Sequence, residues 1–372
     1  MLLEVIYLNT RIEELIKELK RNNFDSALVT STANFYYLSN YYTDPHERVI
    51  AVYVSETIDP IIVVPAMEVE DAKAAGWNDT IIGYHDHENP WQLLNDFLRG
   101  QEKLPASMAI EHNHFTLERY NNLTSCFQNV EFFDLENILA DIRVIKSKKE
   151  YTLLKQAAQF ADLAIKTGVE AITEGATELD IIALIEYEMK KQGIQEMSFT
   201  TTCLSGAKTA SPHGTPGQKK ITAGDMVLFD LGVIFDGYCS DITRTVAYKS
   251  VTPEQEEIYQ TVLQANEKAI EASKLGTPVN KVDQAAREYI ESKGYGKYFN
   301  HRVGHGLGIE VHEYPSMSSD NTLALREGMC FTIEPGIYIP GTGGVRIEDM
   351  MFMTKNGAEI LTAYPKNLQI ID

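Results

Sequence analysis

The strongest constraint on the fold is that part of the chain repeats itself: residues 170–193 and 271–294 match at a constant offset of 101 residues. In each copy a helix-like run ends at a glycine, Gly175 or Gly276, the residue that accepts the left-handed conformation of a helix stop. A threonine then opens the next helix. Thr177 with Asp180 three residues on has the form of a capping box, and Thr277 is followed by Pro278 at the expected first helical position. The repeat continues, with gaps, into strand-like runs. Gly224 to Asp230 is echoed by Glu327 to Glu334, and Pro212-His213-Gly214 by Gly304-His305-Gly306. Two αβ halves related by a pseudo-twofold axis are therefore expected, with matched strand positions facing one cavity along that axis.

The repeat occupies only the second part of the chain. At 372 residues the chain is too long for one ordinary core, which favours two domains. Residues 1–145 alternate helical runs (Arg11 to Lys20) with β-branched, strand-like ones (Ser26 to Thr30, Val49 to Val54, Ile61 to Val64, Ile81-Ile82, Met108 to Glu111, Val130 to Phe133). This predicts an α/β domain around a mixed sheet. Lys146-Ser147-Lys148-Lys149-Glu150 reads as a charged link before a long helix with Leu153, Leu154, Ala157, Ala161, Ala164 and Ile165 on its buried face. The second domain is placed at 146–372.

Composition excludes several classes. Hydrophobic residues at 44% and charged residues at 23% are the usage of a folded globular protein. The excess of 53 Asp+Glu over 33 Lys+Arg, a formal charge of -20, repels phosphates and anionic lipid, so no nucleic acid or membrane partner is expected. The first residues carry Glu4 and no basic lead, unlike a signal peptide. No apolar run approaches the roughly 20 residues of a membrane span. Cys126, Cys203, Cys239 and Cys330 form no CxxC pair. They suggest neither a zinc ribbon nor a disulfide framework, and a reducing cytoplasm is the expected location.

The chemistry lies in the acids at matched positions. Asp230 sits in the apolar run Met226 to Leu231 and Glu334 in the run Cys330 to Ile337, where an unpaired carboxylate is expensive to bury. Each is followed by a second acid, Asp241 or Glu348, after a glycine-containing connection that suggests a hairpin. With His305 these acids make a mostly hard-oxygen donor set suited to Mn²⁺, Co²⁺ or Fe²⁺. Four carboxylates balance two divalent ions, which could together hold and deprotonate a bridging water. His213, His301 and His312 could stabilise a tetrahedral oxyanion and move a proton to a leaving nitrogen. Arg346, expected on the same strand face as Glu348, could orient that carboxylate. Tyr238 and Tyr338 read equally as packing or as site residues, and Cys203, Cys239 and Cys330 as inert core thiols.

Five segments also resemble the motifs of the pita-bread metallopeptidases: Leu228-Phe229-Asp230-Leu231-Gly232, Ser240-Asp241-Ile242-Thr243-Arg244-Thr245, Gly304-His305-Gly306-Leu307-Gly308, Ile333-Glu334-Pro335-Gly336-Ile337-Tyr338 and Val345-Arg346-Ile347-Glu348-Asp349. That family comprises methionine aminopeptidases, aminopeptidase P, prolidase and the metal-free creatinases. The resemblance implies a creatinase-like N-terminal α/β domain followed by an α+β pita-bread catalytic domain with internal pseudo-twofold symmetry. It implies that Asp230 and Asp241 bind one metal, that Asp241, His305, Glu334 and Glu348 bind the other, and that Asp241 and Glu348 bridge. His213 and His312 match histidines that contact the scissile carbonyl, Glu334 a proton shuttle, and His301, Tyr338 and Arg346 substrate-side positions.

Within the family, methionine aminopeptidases usually lack a domain like residues 1–145, and creatinases lack an intact donor set. The segment Thr43-Asp44-Pro45-His46-Glu47-Arg48-Val49, with Asn89-Pro90-Trp91, is similar to bacterial Xaa-Pro dipeptidases in which this loop reaches into the partner subunit's active site. A cytoplasmic homodimer is implied, with Asp44, His46 and Arg48 near the substrate. Arg302 is a clamp candidate for a dipeptide's carboxylate. The expected activity is hydrolysis of Xaa-Pro dipeptides by a metal-bridging hydroxide on two divalent ions, Mn²⁺ first and Co²⁺, Fe²⁺ or Zn²⁺ as alternatives. Aminopeptidase P, acting on longer Xaa-Pro peptides, is the runner-up, and a catalytically inactive binding protein of the same fold the third reading.

Overall fold

The computed structural model describes residues 2–372, with side chains described from Thr10 onward. The chain divides into two compact units, residues 1–143 and 144–372. In the first, a six-stranded mixed sheet is built from Ser26–Val29, Ala51–Ser55, Ile61–Pro65, Thr80–Tyr84, Ser107–Ile110 and Glu131–Asp134. Ser26–Val29 lies inside the sheet, antiparallel to Ala51–Ser55 and parallel to Ser107–Ile110. Three of its four inner strands, Ser26–Val29, Ala51–Ser55 and Ile61–Pro65, are buried end to end, which explains their nearly continuous apolar sequences. Asn89-Pro90-Trp91 is a helix start here: Asn89 caps the helix Pro90–Gly100, Pro90 takes its first turn, and Trp91 enters the core.

The second unit begins with the helix Lys148–Glu170. The stretch 146–150, expected as a charged link, already belongs to it: Ser147 and Glu150 form a capping box, and Lys146 is buried. The two halves then follow one plan. In the first, Met226–Leu231 pairs antiparallel with Ile242–Tyr248, Leu231 opposite Ile242. In the second, Cys330–Ile333 pairs antiparallel with Asp349–Thr354, Ile333 opposite Asp349. Each pair is interrupted at its turn by a smaller hairpin, Val233–Phe235 with Tyr238–Cys239 or Gly336–Ile339 with Gly343–Arg346. Helices cover each sheet, and each half has its own core, around Ile165, Ile185 and Phe229 in one and Val262, Ile290 and Phe331 in the other.

The helix stops of the repeat are equivalent in detail. Gly175 and Gly276 have φ of +83° and +80°, a conformation that a side chain would strain. The Thr177–Asp180 capping box forms as expected, whereas Pro278 occupies the cap position of the helix Val279–Ser292 rather than its first turn. Three sequence expectations are corrected. Glu334 is not inside a strand: it lies at the break between Cys330–Ile333 and Gly336–Ile339. Arg346 closes the hairpin strand Gly343–Arg346, and Glu348 lies between strands, so the two do not share a strand face. His213 does not occupy a strand equivalent to His305–Gly306. Thr202–Ser205 fills that place beside Met226–Leu231, and His213 follows on a loop.

Where the halves meet, Glu348 N–H donates to Thr243 O (3.1 Å) and Thr245 Oγ1 donates to Arg346 O (3.0 Å). Behind this seam the buried Arg244 guanidinium bonds Asp349 Oδ1 (2.8 Å), Tyr364 O and the backbone oxygens of Thr243 and Glu348. Lys366 completes the pair by donating to Asp349 Oδ2 (2.7 Å). Burial raises the Asp349 carboxyl, but Arg244 and Lys366 outweigh it and hold the group below the usual range. No described helix is long and apolar enough to cross a membrane.

Asp349→Ala leaves Arg244 charged and buried without its carboxylate. It is expected to lower unfolding stability by about 3–5 kcal/mol, read from urea denaturation midpoints at pH 7.

Candidate metal centre

The seam between the two sheets opens into a cavity of ≈ 980 Å³ whose wall includes Asp230, Asp241, His305, Glu334 and Glu348. Asp230 comes from the strand Met226–Leu231, and Asp241 directly precedes its antiparallel partner, so the hairpin brings them together. Glu334 and Glu348 are delivered in the same way at the ends of Cys330–Ile333 and Asp349–Thr354. Oxygens of Asp241 and Glu348 and a ring nitrogen of His305 all lie within 4.8 Å of one another.

The hydrogen bonds fix the state of His305. Its Nδ1 faces Gly306 O at 3.1 Å, so Nδ1 carries the proton and donates it. Nε2 is then a bare lone pair directed at Glu334 Oε1 (3.4 Å) and Asp241 Oδ2 (3.6 Å). Burial, then His312 nearby, depresses the imidazole to about 3, so it is neutral. Asp241 Oδ1 and Glu348 Oε1 are buried without a hydrogen-bond partner. A lone pair and several carboxylate oxygens thus converge with nothing positive between them, an arrangement stable only with protons or cations in the gap. Without a cation, protons serve. Burial, then Glu348, Asp230 and Glu334, raises Asp241 well above the carboxylate range; burial, then Glu334 and Asp230, does the same to Glu348. Glu334 is pushed up to about 7, chiefly by burial.

Arg346 engages Asp230 directly through Nη2 and reaches Glu348 only through Thr243. Arg346 Nε donates to Thr243 Oγ1 (3.0 Å), whose own proton goes to Glu348 Oε2 (2.8 Å). Thr243 was missed in the sequence. Its signal is alternation: two residues beyond Asp241 on an extended chain, it faces the same side. Tyr338 is more than packing. Its hydroxyl accepts from Arg346 Nη1 (2.9 Å) and donates to His301 Nε2 (3.0 Å), while His301 Nδ1 donates to Arg302 O (2.7 Å). Tyr238, by contrast, is an anchor, donating to Glu150 at 2.9 Å.

His213, His301, Arg302 and His312 also line the cavity, and the His305 and His312 rings meet edge-on at 4.2 Å. Arg302 Nη1 donates to Ser316 Oγ (3.2 Å). Asp44, His46 and Arg48 belong to the N-terminal unit. His46 N–H closes a turn on Asp44 Oδ1 (3.0 Å), and Arg48 is not an open guanidinium: it grips Asp86 with two hydrogen bonds of 2.9 and 3.2 Å. Cys203, Cys239 and Cys330 are buried thiols outside any disulfide, and burial raises the Cys203 and Cys330 thiols, as expected of inert core residues.

The raised carboxyls set a pH dependence for the metal-free protein. They hold protons that the unfolded chain has already released, so stability falls as pH rises through their folded values. His301 and His305, depressed to about 4 and about 3, add stability with rising pH, but only up to their ordinary 6.5. Chelator-washed protein is therefore expected to lose Tm between about pH 6.5 and 8, measured by calorimetry. A flat or rising Tm would contradict the crowding.

A model of metallopeptidase family M24 matches residues 152–355, and one of the creatinase/prolidase N-terminal domain matches residues 11–145. The putative dipeptidase YkvY of Bacillus subtilis is 50% identical over 97% of this chain and 99% of its own length. Among solved structures, the Xaa-Pro dipeptidase from Bacillus anthracis superposes with a TM-score of 0.91 at 33% identity, over 98% of this chain and 100% of that one. The X-Pro aminopeptidase from Thermotoga maritima gives 0.88 at 30% identity, over 97% and 99%.

Proposed function

The chain belongs to metallopeptidase family M24, and on that premise we propose that it is a prolidase, hydrolysing Xaa-Pro dipeptides to free proline with two divalent ions. The observation that carries the reading is the pair of partnerless buried oxygens, Asp241 Oδ1 and Glu348 Oε1, beside the unprotonated Nε2 of His305. The donor set fits two hard divalent cations. Asp230 and Asp241 hold one, and Asp241, His305, Glu334 and Glu348 the other, with Mn²⁺ preferred over Co²⁺, Fe²⁺ or Zn²⁺ for a site of oxygens and one imidazole. Bound there, the ions supply Lewis acidity to the substrate carbonyl and make a water-derived nucleophile available near neutral pH.

The side chains do the rest. Glu334, on the cavity wall, takes the proton of the attacking water and returns it to the departing proline nitrogen. His213 and His312 line the same cavity, and as ring N–H donors they stabilise the charge that develops on the carbonyl oxygen. The Arg346–Tyr338–His301 chain of hydrogen bonds fixes the wall on which Arg302 stands. Arg302, exposed at that wall with one bond to Ser316, clamps the C-terminal carboxylate of a dipeptide. The N-terminal domain, 1–145, serves for dimerisation, and its Asp44–Arg48 segment approaches the partner's substrate, Arg48 exchanging Asp86 for it. That exposed pair is weak enough to exchange. A cytoplasmic homodimer completes the reading.

The alternative, aminopeptidase P activity, is favoured by the similarity to the T. maritima X-Pro aminopeptidase. Proline release from Leu-Pro is expected from metal-stripped protein only after Mn²⁺ or Co²⁺ is added, with little cleavage of Arg-Pro-Pro. Arg302→Ala should lower kcat/KM on Leu-Pro by roughly 10–100-fold, the worth of a charged hydrogen bond. Preference for the tripeptide would remove the dipeptidase reading, and an unchanged Arg302→Ala would remove the carboxylate clamp.

A further inference from the structure

The helix Glu178–Lys191 is capped by other residues than its first. Thr177 Oγ1 accepts from Asp180 N–H (3.1 Å) and Asp180 Oδ2 accepts from Thr177 N–H (2.9 Å). Glu178 is therefore not needed for the cap, yet its side chain is completely buried, a costly place for a carboxylate. Its four partners explain the position. Oε1 accepts from Ser205 N–H (2.9 Å) and Oγ (3.0 Å); Oε2 accepts from Lys208 Nζ (2.5 Å) and Gly217 N–H (2.9 Å). Ser205 and Lys208 stand where the chain enters the 206–217 segment, and Gly217 where it leaves. Leu179 N–H also holds Gly217 O (3.3 Å).

Between those anchors, His213 is carried by two short turns, Ser211 N–H to Lys208 O and Gly214 N–H to Ser211 O. We infer that Glu178 is a positioning residue for His213, one buried carboxylate that ties both ends of the histidine loop. The inference rests on the proposed role of His213 at the substrate carbonyl. The other half uses the same device: Asp283, fully buried on the helix Val279–Ser292, accepts from Val303 N–H (3.0 Å) and Arg287. Arg287 in turn donates to His301 O (2.9 Å). Each half thus spends a buried acid of its second helix on the backbone around a cavity histidine.

The test compares Glu178→Gln, His213→Ala and the double variant in the full-length enzyme, with hydrogen exchange of the same proteins as purified. In Glu178→Gln the amide nitrogen faces the N–H donors that the carboxylate accepted. Its kcat on Leu-Pro is expected to fall about 10- to 100-fold, as for a group misplaced by about 1 Å, with KM nearly unchanged. The double variant should be no slower than His213→Ala alone, because both act through one group. Exchange should quicken in peptides spanning 206–217 and stay unchanged in the helix Glu178–Lys191. Multiplying losses in the double variant, or unaltered exchange at 206–217, would overturn the assignment. If Glu178→Gln does not fold, Lys208→Met, which removes one donor from the open side, must show the same signature. If the wild type cleaves no Xaa-Pro substrate, the functional reading fails, while exchange still decides whether Glu178 holds the loop.

Discussion

Four carboxylates, Asp230, Asp241, Glu334 and Glu348, are held at one point around a neutral imidazole, and burial together with neighbouring acids makes Asp241, Glu334 and Glu348 costly to ionise. Such crowding works against folding and persists only where the surrounding structure over-determines it. Here two separate cores supply the stability, one in each half. The seam carrying the acids is locked from behind by Arg244, whose guanidinium bonds the backbone oxygens on either side of it and the Asp349 carboxylate. The acids project forward from this frame, and the repulsion among them is what the two proposed divalent cations would relieve.

The pseudo-twofold plan explains why the acids come as two pairs, each flanking the turn of an antiparallel strand pair. Function enters where the plan is broken. The second half places His305 on a short strand against Cys330–Ile333, so its ring is fixed at the acids; the first half fills that place with Thr202–Ser205 and sends its histidine onto a loop. One imidazole is thereby committed to the acidic cluster and another presented to the open cavity. Arg346 is asymmetric in the same sense, since its guanidinium crosses the seam to Asp230 and Thr243 of the other half.

Much of this was legible in the chain. An acid inside an apolar run has few explanations, and two such acids at matched positions of a repeat have fewer, so the cluster could be read before any coordinate. The inner strands of the N-terminal unit were legible because burial on both faces leaves β-branched runs. What could not be read were polar residues whose partners are far away in sequence. Thr243 sits 105 residues from the Glu348 it bonds, marked only by its alternation with Asp241, and Glu178 lies 27 residues from Ser205, with no periodic pattern to mark it. Element ends were also misread where a charged stretch such as 146–150 belongs to a helix start, because a cap and a linker share the same residue types.

If Asp230, Asp241, His305, Glu334 and Glu348 together hold two divalent cations, the number of ions bound per chain shows it directly. Metal-stripped protein titrated with Mn²⁺ in equilibrium dialysis should bind two ions per chain, and Asp241→Asn, which removes the acid shared by both sites, should bind none with comparable affinity. A wild type that retains no ion, or an Asp241→Asn variant that binds two as tightly, would rule out a two-ion site built on these side chains.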